Sequence, residues 1–465
     1  MDSSKNQQNN NNNKSSKVTS TTSLGKRRSL NKRARNRAKG HQRREDPANS
    51  TMSSPKASEY GSQASPLRQP ATPNEITKVT ILGAAGGIGQ PLALLLMLHS
   101  EYVQHLALYD LVHVRGIAAD LSHVDRQCKV TAHLGPDELT EAVRDAKVIV
   151  IPAGLAQKPG MSRDDLFGSN AKIMYNLAKV CAQVNPSAHL AIISNPVNSL
   201  VPLTCEVYQR ILGAGSRKEK SADSNSALSQ PAAPPASPGA AAPAGSSAQK
   251  SAGKQQQQQQ CFHDCCRRIF GVTTLDVVRA STLSAKSAFF KPEPNGLFKD
   301  PAKIAIPVVG GHAGKTIIPL LSQSTMKVDK KRLIEEKATT LTLIESIQQA
   351  GIEVLNAKKG AGSATLAMAY SACRFTISLL RAQQGEPNII ECAYVRHQQP
   401  LVSDLEYFAA PLVLSKDGYV KTQGFSLNKL LPYEQQMIEE GAKELRMSVA
   451  KGEDFAKEQL SSEKL

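Results

Sequence analysis

No apolar run in the chain approaches the roughly 18 residues that a bilayer-spanning helix needs, so no membrane span is expected. The first 75 residues contain no apolar h-region, and no export signal is expected in them. Eight cysteines in 465 residues are too few for a disulfide-stapled scaffold. Without an export signal they are expected as reduced thiols in an intracellular compartment, cytoplasmic or mitochondrial. Acidic residues are scarce, 40 against 57 Lys and Arg, for a net charge of +17. That excess is uneven: residues 1–75 carry a net +10 and residues 213–268 a net +4, leaving only +3 for the rest. An argument for nucleic-acid binding would therefore concern the basic N-terminal tail and not the body of the fold. Hydrophobic residues make up 40% of the chain, a low share, because segments of biased composition dilute a globular body.

Two such segments stand out. Residues 1–75 run from NQQNNNNNKSS through GKRRSLNKRARNRAKGHQRR to a Ser/Pro-rich stretch, a composition that buries too little apolar surface to offset its ordering entropy. They are expected to be disordered. Residues 213–268 contain PAAPPASPGAAAPAG and QQQQQQ, and apolar elements flank them closely. This block reads as a surface insertion, which a fold tolerates because loop closure costs grow only logarithmically with length. Elsewhere short apolar runs alternate with helical patterns. Strands are expected at 78–84, 105–110, 146–154 and 189–196, and helices at 88–100 and 170–184. That alternation predicts a parallel sheet with helices on both faces. After residue 276 long helices mix with shorter strands, which predicts a second, α+β domain. The expected division is 1–75, 76–275 with the insertion inside it, and 276–465.

The stretch ILGAAGGIGQPLALLL sets glycines at 83, 86 and 89 between a strand and a helix. Such glycines permit a tight turn and close approach of backbone to a pyrophosphate at a helix N-terminus. The spacing is one residue longer than the commonest fingerprint, and a plain glycine-rich turn would look similar. Asp110 strengthens the functional reading. It ends the next strand, 21 residues past Gly89. A carboxylate there accepts hydrogen bonds from ribose hydroxyls and repels a 2′-phosphate, so NAD is expected in preference to NADP. LDVVRA supplies Asp276 and Arg279, and VVGGHAGKTIIPL supplies His312. Taken singly, a histidine is more often a packed or surface residue, and Asp/Arg at helical spacing is usually a solvated pair. Together they fit hydride removal from a secondary alcohol: a base for the hydroxyl proton, a carboxylate to orient it, and an arginine to bind an acid group in two-pronged fashion.

Residues 77–456, apart from the insertion, resemble the malate dehydrogenase branch of the lactate/malate dehydrogenase superfamily. The resemblance is carried by GAAGGIGQPLALLL, LYDLVHVRGIAADLSH, KPGMSRDDLF, NPVNS, FGVTTLDVVRA, GGHAGKTIIPL and GAGSATLAMAYSACRF, spread over both expected domains. It implies an α/β architecture, a Rossmann-type parallel-sheet NAD domain followed by an α+β substrate domain, and a homodimer. It implies an NAD-dependent oxidoreductase that interconverts a 2-hydroxy and a 2-oxo acid, malate and oxaloacetate, a step of the tricarboxylic acid cycle. In that pattern His312 takes the proton and Asp276 is its partner. Arg279 binds the carboxylate beside the reacting carbon. Arg163, on a mobile loop, polarises the carbonyl. Asn195 touches nicotinamide and substrate. Gly83, Ala84, Ala85, Gly86, Gly87, Ile88, Gly89, Asp110, Asn170, Ile193 and Met368 line the cofactor site.

One position departs. Where the family usually has arginine, reading roughly RKPGM, this chain has Gln157 in QKPGM, as lactate dehydrogenases do. The family's arginine binds the second carboxylate of malate. The departure opens an alternative, a 2-hydroxy acid dehydrogenase for monocarboxylic or aromatic 2-oxo acids. Lys158 is adjacent, but the family carries lysine there too. Two further motifs are weaker. CFHDCC at 261–266 places Cys261, His263, Cys265 and Cys266 at spacings that metal ligands use, without a second ligand pair, and no metal is expected. The terminal SSEKL approaches a peroxisomal signal, but Glu463 stands where a small residue belongs.

Overall fold

β1 (Lys78–Leu82) reads KVTIL, and all five residues are buried. A strand covered on both faces belongs inside a parallel sheet. β1 pairs in parallel with β2 (His105–Asp110) on one side and β4 (Ala146–Ile151) on the other. β3 (Lys129–Leu134) extends the sheet beyond β2; β5 (His189–Ile192) and β6 (Ile269–Val272) extend it beyond β4. The order β3-β2-β1-β4-β5-β6 is doubly wound, with the chain reversing direction of travel across the sheet between β1 and β4. This is the parallel sheet that the alternating pattern predicts and the Rossmann-type half that the resemblance implies. The computed structural model describes residues 76–155, 163–226, 265–290, 294–297, 299–326, 328–360 and 362–463.

The sheet does not stop at β6. Gly271 and Val272 pair antiparallel with Tyr394 and Ala393 of β9 (Ile390–Arg396). β10 (Tyr407–Ser415), β7 (Val308–Gly310) and β8 (Ile317–Pro319) follow, with β11 (Gly418–Thr422) on β10, giving eleven strands in one mixed sheet. The connections supply helices α1 (Gly89–Leu98), α2 (Val114–Leu121), α3 (Leu139–Val143), α4 (Arg163–Val184) and α5 (Val197–Ser226). The second half adds α6 (Thr274–Ala285), α7 (Lys330–Glu335), α8 (Lys337–Ala357), α9 (Leu366–Gln383) and α10 (Pro432–Ser462). Among the described residues no helix is long and apolar enough to cross a membrane.

Two apolar clusters fill the interior, and the β7–β8 hairpin stands between them. Val309 and Ile318 point into the larger cluster, whereas Val308 and Ile317 point into the smaller one. That is the period-two alternation of a strand with a core on each side. The hairpin tip therefore has a fixed position, and it carries His312. Several boundaries differ from the sequence expectation. The strands expected to run to 154 and 196 end at Ile151 and Ile192, and α5 runs to Ser226, inside the block expected as an insertion. The helix expected over 170–184 begins at Arg163, because Leu166 and Phe167 are buried and extend the apolar face past Gly168. Arg163 is thus the first residue of α4 rather than a residue of the preceding loop.

The long C-terminal helix α10 packs along α5, whose first turn forms part of the site. At Gly452 the two helices nearly touch: a Cβ there would lie 2.0 Å from the carbonyl oxygen of Ser199. Gly452→Ala is expected to destabilise the fold by about 1–3 kcal/mol, the usual cost of overpacking. Chemical denaturation would read this as a lowered midpoint; an unchanged midpoint would show that the helices separate without penalty.

Candidate active site

The first component of the site is the turn after β1. Gly83 has φ +103°, and a Cβ on it would lie 2.6 Å from the backbone of Ala153, just past the end of β4. A Cβ on Gly89 would lie 2.2 Å from the carbonyl oxygen of Gly83. These two glycines let the turn fold onto itself and onto the neighbouring strand end. Gly86 differs: apart from Gly83 oxygen at 3.4 Å nothing lies near its missing side chain, so that side of the turn is open. The turn leads straight into α1, whose N-terminal N–H groups favour an anion. Ala84, Ala85, Gly87 and Ile88 complete it. Asp110, at the end of β2, holds the turn in place. Its Oδ2 accepts from Ala85 N at 2.8 Å, and its Oδ1 accepts from Leu111 N at 2.7 Å. On the far side, Thr365 sits 3.1 Å from where a Gly87 Cβ would be. The start of α9, and with it buried Met368, therefore backs onto the glycine turn.

The second component joins two segments 36 residues apart. Asp276 lies in the first turn of α6 with no exposed surface. Its Oδ2 is 2.6 Å from Nδ1 of His312. A carboxylate only accepts hydrogen bonds, so Nδ1 carries the proton and Nε2 is left with a free lone pair. Arg279, one turn along α6, brings Nη1 to 3.9 Å from Asp276 Oδ1. Burial lowers the Arg279 pKa below the usual arginine value, while the nearby Asp276 and Glu353 carboxylates act the other way. Asp276 Oδ1 itself makes no hydrogen bond.

The hairpin tip is held from the first half of the fold. Asn198, buried in the first turn of α5, accepts from His312 N through Oδ1 at 2.8 Å and donates through Nδ2 to Thr316 Oγ1 at 3.3 Å. Thr316 Oγ1 in turn donates to Ala313 O at 2.7 Å and accepts from Ala313 N at 3.1 Å. Gly310, at φ +97°, makes room, since a Cβ there would lie 2.2 Å from Thr316 O. Asn198 was not singled out from the sequence, although it belongs to NPVNS together with Asn195. What marks it is its place in the first turn of α5, facing the hairpin.

The remaining expected site residues fall as follows. Asn195 is exposed at the mouth of the turn before α5, and the Asn195–Pro196 peptide is cis. Asn170 is buried and tied to backbone: Oδ1 accepts from Leu155 N at 2.7 Å, and Nδ2 donates to Leu155 O at 3.2 Å and Asn195 O at 2.7 Å. Both of its donors are thus occupied in joining the root of the 154–162 stretch to Asn195. Ile193 is buried, and its N–H donates to Ile151 O at 3.0 Å. Gln157 and Lys158 lie outside the described residues, as does the Arg163 side chain. Of the CFHDCC motif, Cys261 and His263 lie outside them too, whereas Cys265 and Cys266 are buried. Among the described residues no group of three or more His, Cys, Asp or Glu is arranged to hold a metal ion.

Residues 77–218 match the model of the lactate/malate dehydrogenase NAD binding domain, and residues 273–456 match that of the lactate/malate dehydrogenase alpha/beta C-terminal domain. The chain belongs to the lactate/malate dehydrogenase family. It is an NAD-dependent oxidoreductase acting on CH–OH groups. Mitochondrial malate dehydrogenase of Sus scrofa is 43% identical over 380 residues, which cover 82% of this chain and 92% of that protein. The Homo sapiens mitochondrial protein is 42% identical over the same coverage. Malate dehydrogenase of Cryptosporidium parvum superposes with a TM-score of 0.59 at 19% identity, covering 82% of this chain and all of that one. The lactate dehydrogenase of the same organism, complexed with lactic acid and NAD, gives 0.58 at 18%, covering 81% and 98%.

The dehydrogenase's glycine turn fits NAD. It offers an open approach at Gly86, an anion-favouring helix end at α1 and a carboxylate at Asp110 still able to accept hydrogen bonds. Asn198 gives the clearest test of how the opposite side of the site is built. Asn198→Ala strips an acceptor from His312 N and a donor from Thr316 in a buried setting, at an expected cost of about 1–3 kcal/mol. Urea denaturation would read that loss, and a variant as stable as the parent would show that water replaces both bonds.

Proposed function

We propose that this dehydrogenase interconverts malate and oxaloacetate with NAD, and that His312 is its base. The observation that carries this reading is the 2.6 Å contact between His312 Nδ1 and fully buried Asp276, with Arg279 3.9 Å from the same carboxylate. NAD, when bound, accepts the hydride from the alcohol carbon. Gly83, Gly86, Gly89 and the start of α1 would hold its pyrophosphate, and Asp110 its ribose hydroxyls, a placement that disfavours a 2′-phosphate.

The residues of the chain supply the rest. His312 Nε2 takes the hydroxyl proton, and the Asp276 carboxylate compensates the positive charge then formed on the ring. Because Nδ1 is already engaged, the ring presents Nε2 in one tautomer and one orientation. Arg279 binds the carboxylate next to the reacting carbon with its forked donors, and partial burial strengthens that contact. Arg163, at the start of α4, polarises the carbonyl in the reverse direction. Asn195, exposed beside Asn170, contacts both ligands. The family match and the mitochondrial malate dehydrogenases among the relatives support malate as substrate and an intracellular site of action. A homodimer is supported by the exposed pairs Leu94/Leu98 on α1 and Leu366/Tyr370 on α9, two helices packed side by side.

Gln157 favours a second reading. A neutral amide cannot neutralise a distal carboxylate, and losing a charge-assisted partner in a closed site costs about 2–5 kcal/mol. Monocarboxylic 2-oxo acids would then compete with oxaloacetate.

Two measurements test these readings. His312→Asn is expected to lower turnover at least about 100-fold while leaving NADH binding nearly unchanged, since the glycine turn and Asp110 are untouched. Near-normal turnover would remove His312 from the mechanism. Gln157→Arg is expected to shift kcat/KM toward oxaloacetate over pyruvate by about 100-fold, equivalent to about 3 kcal/mol. The arginine gains a bidentate contact with the dicarboxylate and is left as an unpaired buried charge by the monocarboxylate. A parent enzyme that already discriminates as strongly as the variant would mean that another cation serves the second carboxylate.

A further inference from the structure

The glycine turn after β1 is walled by a residue from the second half of the fold, and that residue is held in an unusual way. Thr365 stands at the N-cap of α9. Its methyl Cγ2 lies 3.1 Å from the place that a Cβ on Gly87 would take, so it closes one side of the turn. A threonine at an N-cap commonly accepts from a backbone N–H of the helix it begins. Thr365 makes no such cap. Its hydroxyl oxygen instead accepts from Lys358 Nζ at 3.1 Å, and the same ammonium donates to Ser363 O at 2.9 Å.

Lys358 has a firm base for this clasp. It directly follows α8, whose Ile344 and Ile347 are buried in the smaller apolar cluster. Beyond it the chain turns sharply, with positive φ at Lys359 (+51°), Gly360 (+79°) and Gly362 (+103°). The Lys358 side chain is exposed, and fixing it for two bonds to neutral oxygens costs rotamer freedom. Thr365 forgoes its cap. Both residues give up their ordinary solutions, and what they obtain together is one methyl group fixed against Gly87.

We propose that Lys358 is a positioning residue for the cofactor: by holding the Thr365 hydroxyl it keeps the Thr365 methyl on the glycine turn and so preorganises the cradle of the NAD pyrophosphate. This rests on the reading that the glycine turn holds that group. Two staggered rotamers of Thr365 compete. In one the hydroxyl meets Lys358 and the methyl meets the turn. In the other the hydroxyl caps α9 and the methyl leaves the turn. The ammonium selects the first, so the wall stands before the cofactor arrives, and the entropy of ordering it is not subtracted from cofactor affinity.

The test measures the Kd of NADH with the full chain, in the absence of substrate, by the change in nicotinamide fluorescence on binding. Lys358→Met keeps most of the apolar stem and removes the donors. It is expected to raise the Kd about 3–10-fold, the effect of one side chain that has to be ordered on binding. The urea midpoint is expected to hold or rise, because the released hydroxyl caps α9. Thr365→Val carries a methyl at both positions and needs no clasp, so it is expected to bind NADH like the parent. In that background Lys358→Met is expected to change nothing further. Parent-like affinity in Lys358→Met would overturn the proposal. So would an undiminished loss in the Thr365→Val background, which would mean that the ammonium acts on the cofactor directly, or a weakened affinity matched by a lowered midpoint, which would mean a merely structural lysine. Gly86→Val fills the open side of the turn and is expected to abolish NADH binding. If that variant binds like the parent, the pyrophosphate lies elsewhere and the clasp falls with it. If it blocks binding while Lys358→Met does not weaken it, the pyrophosphate is rightly placed and the clasp alone is wrong.

Discussion

A carboxylate with no exposed surface has to be compensated where it sits, and Asp276 imposes that condition on the centre of this dehydrogenase. It is met from three directions. The N-terminal end of α6 favours negative charge; Arg279 comes from the same helix; His312 reaches across from the hairpin. Only the last depends on distant chain. It requires the β7–β8 turn to be held to a fraction of an ångström, which explains the density of constraint around it: glycine at 310, the Thr316 hydroxyl bonding back to Ala313, and the Asn198 side chain pinning His312 N from the other half of the molecule. The same contact that compensates Asp276 fixes the imidazole tautomer. In the proposed reading, stability and chemistry therefore rest on one geometry, and a perturbation of either reaches the other.

Much of this arrangement was legible in the sequence. Strands with both faces buried announce themselves as apolar runs, and the runs at β1, β2 and β4 begin where they were expected. Gly83, Gly89 and Asp110 could be placed because tight turns and strand-end carboxylates have few residue choices. The continuity of the sheet from β6 into β9 was not legible, because antiparallel pairing between residues more than 100 apart leaves no local mark. Nor were the roles of Asn198 and Asn170. Asn198 belongs to a motif noted for Asn195, and Asn170 was expected only at the cofactor site; the partners that each of them holds are distant in sequence or on the backbone, which no pattern of side chains reveals. The early start of α4 was hidden by Gly168, which reads as a break but is carried by the buried pair before it.

The insertion illustrates how a fold isolates a long interruption. The chain is anchored at the last residues of that block. Arg267 O accepts from Tyr419 N, Arg267 Nε donates to Tyr419 O, and Arg268 O accepts from Leu190 N. Gly418 approaches so closely that a Cβ would lie 2.2 Å from Arg267 O. These contacts fix the entry to β6 against β5 and β11 before α6 begins, so Asp276 is placed by the sheet and not by what precedes it.

The groups assigned to the reaction divide in the same way between rigid and variable supports. In the proposed reading, the parts of a 2-hydroxy acid shared by all candidate substrates, the hydroxyl and its neighbouring carboxylate, are assigned to His312 and Arg279, which stand on a hairpin packed between two cores and on a buried helix. In that reading the part that distinguishes one substrate from another is assigned to Gln157, which follows Leu155, held by Asn170, in the sequence and precedes α4. Rigid elements preserve the alignment that proton transfer demands, and a short connection tied at its root accepts substitution at little cost to that alignment. In the proposed reading, glutamine at 157 changes which acid is preferred and leaves the buried His312–Asp276 contact and Arg279 where they stand.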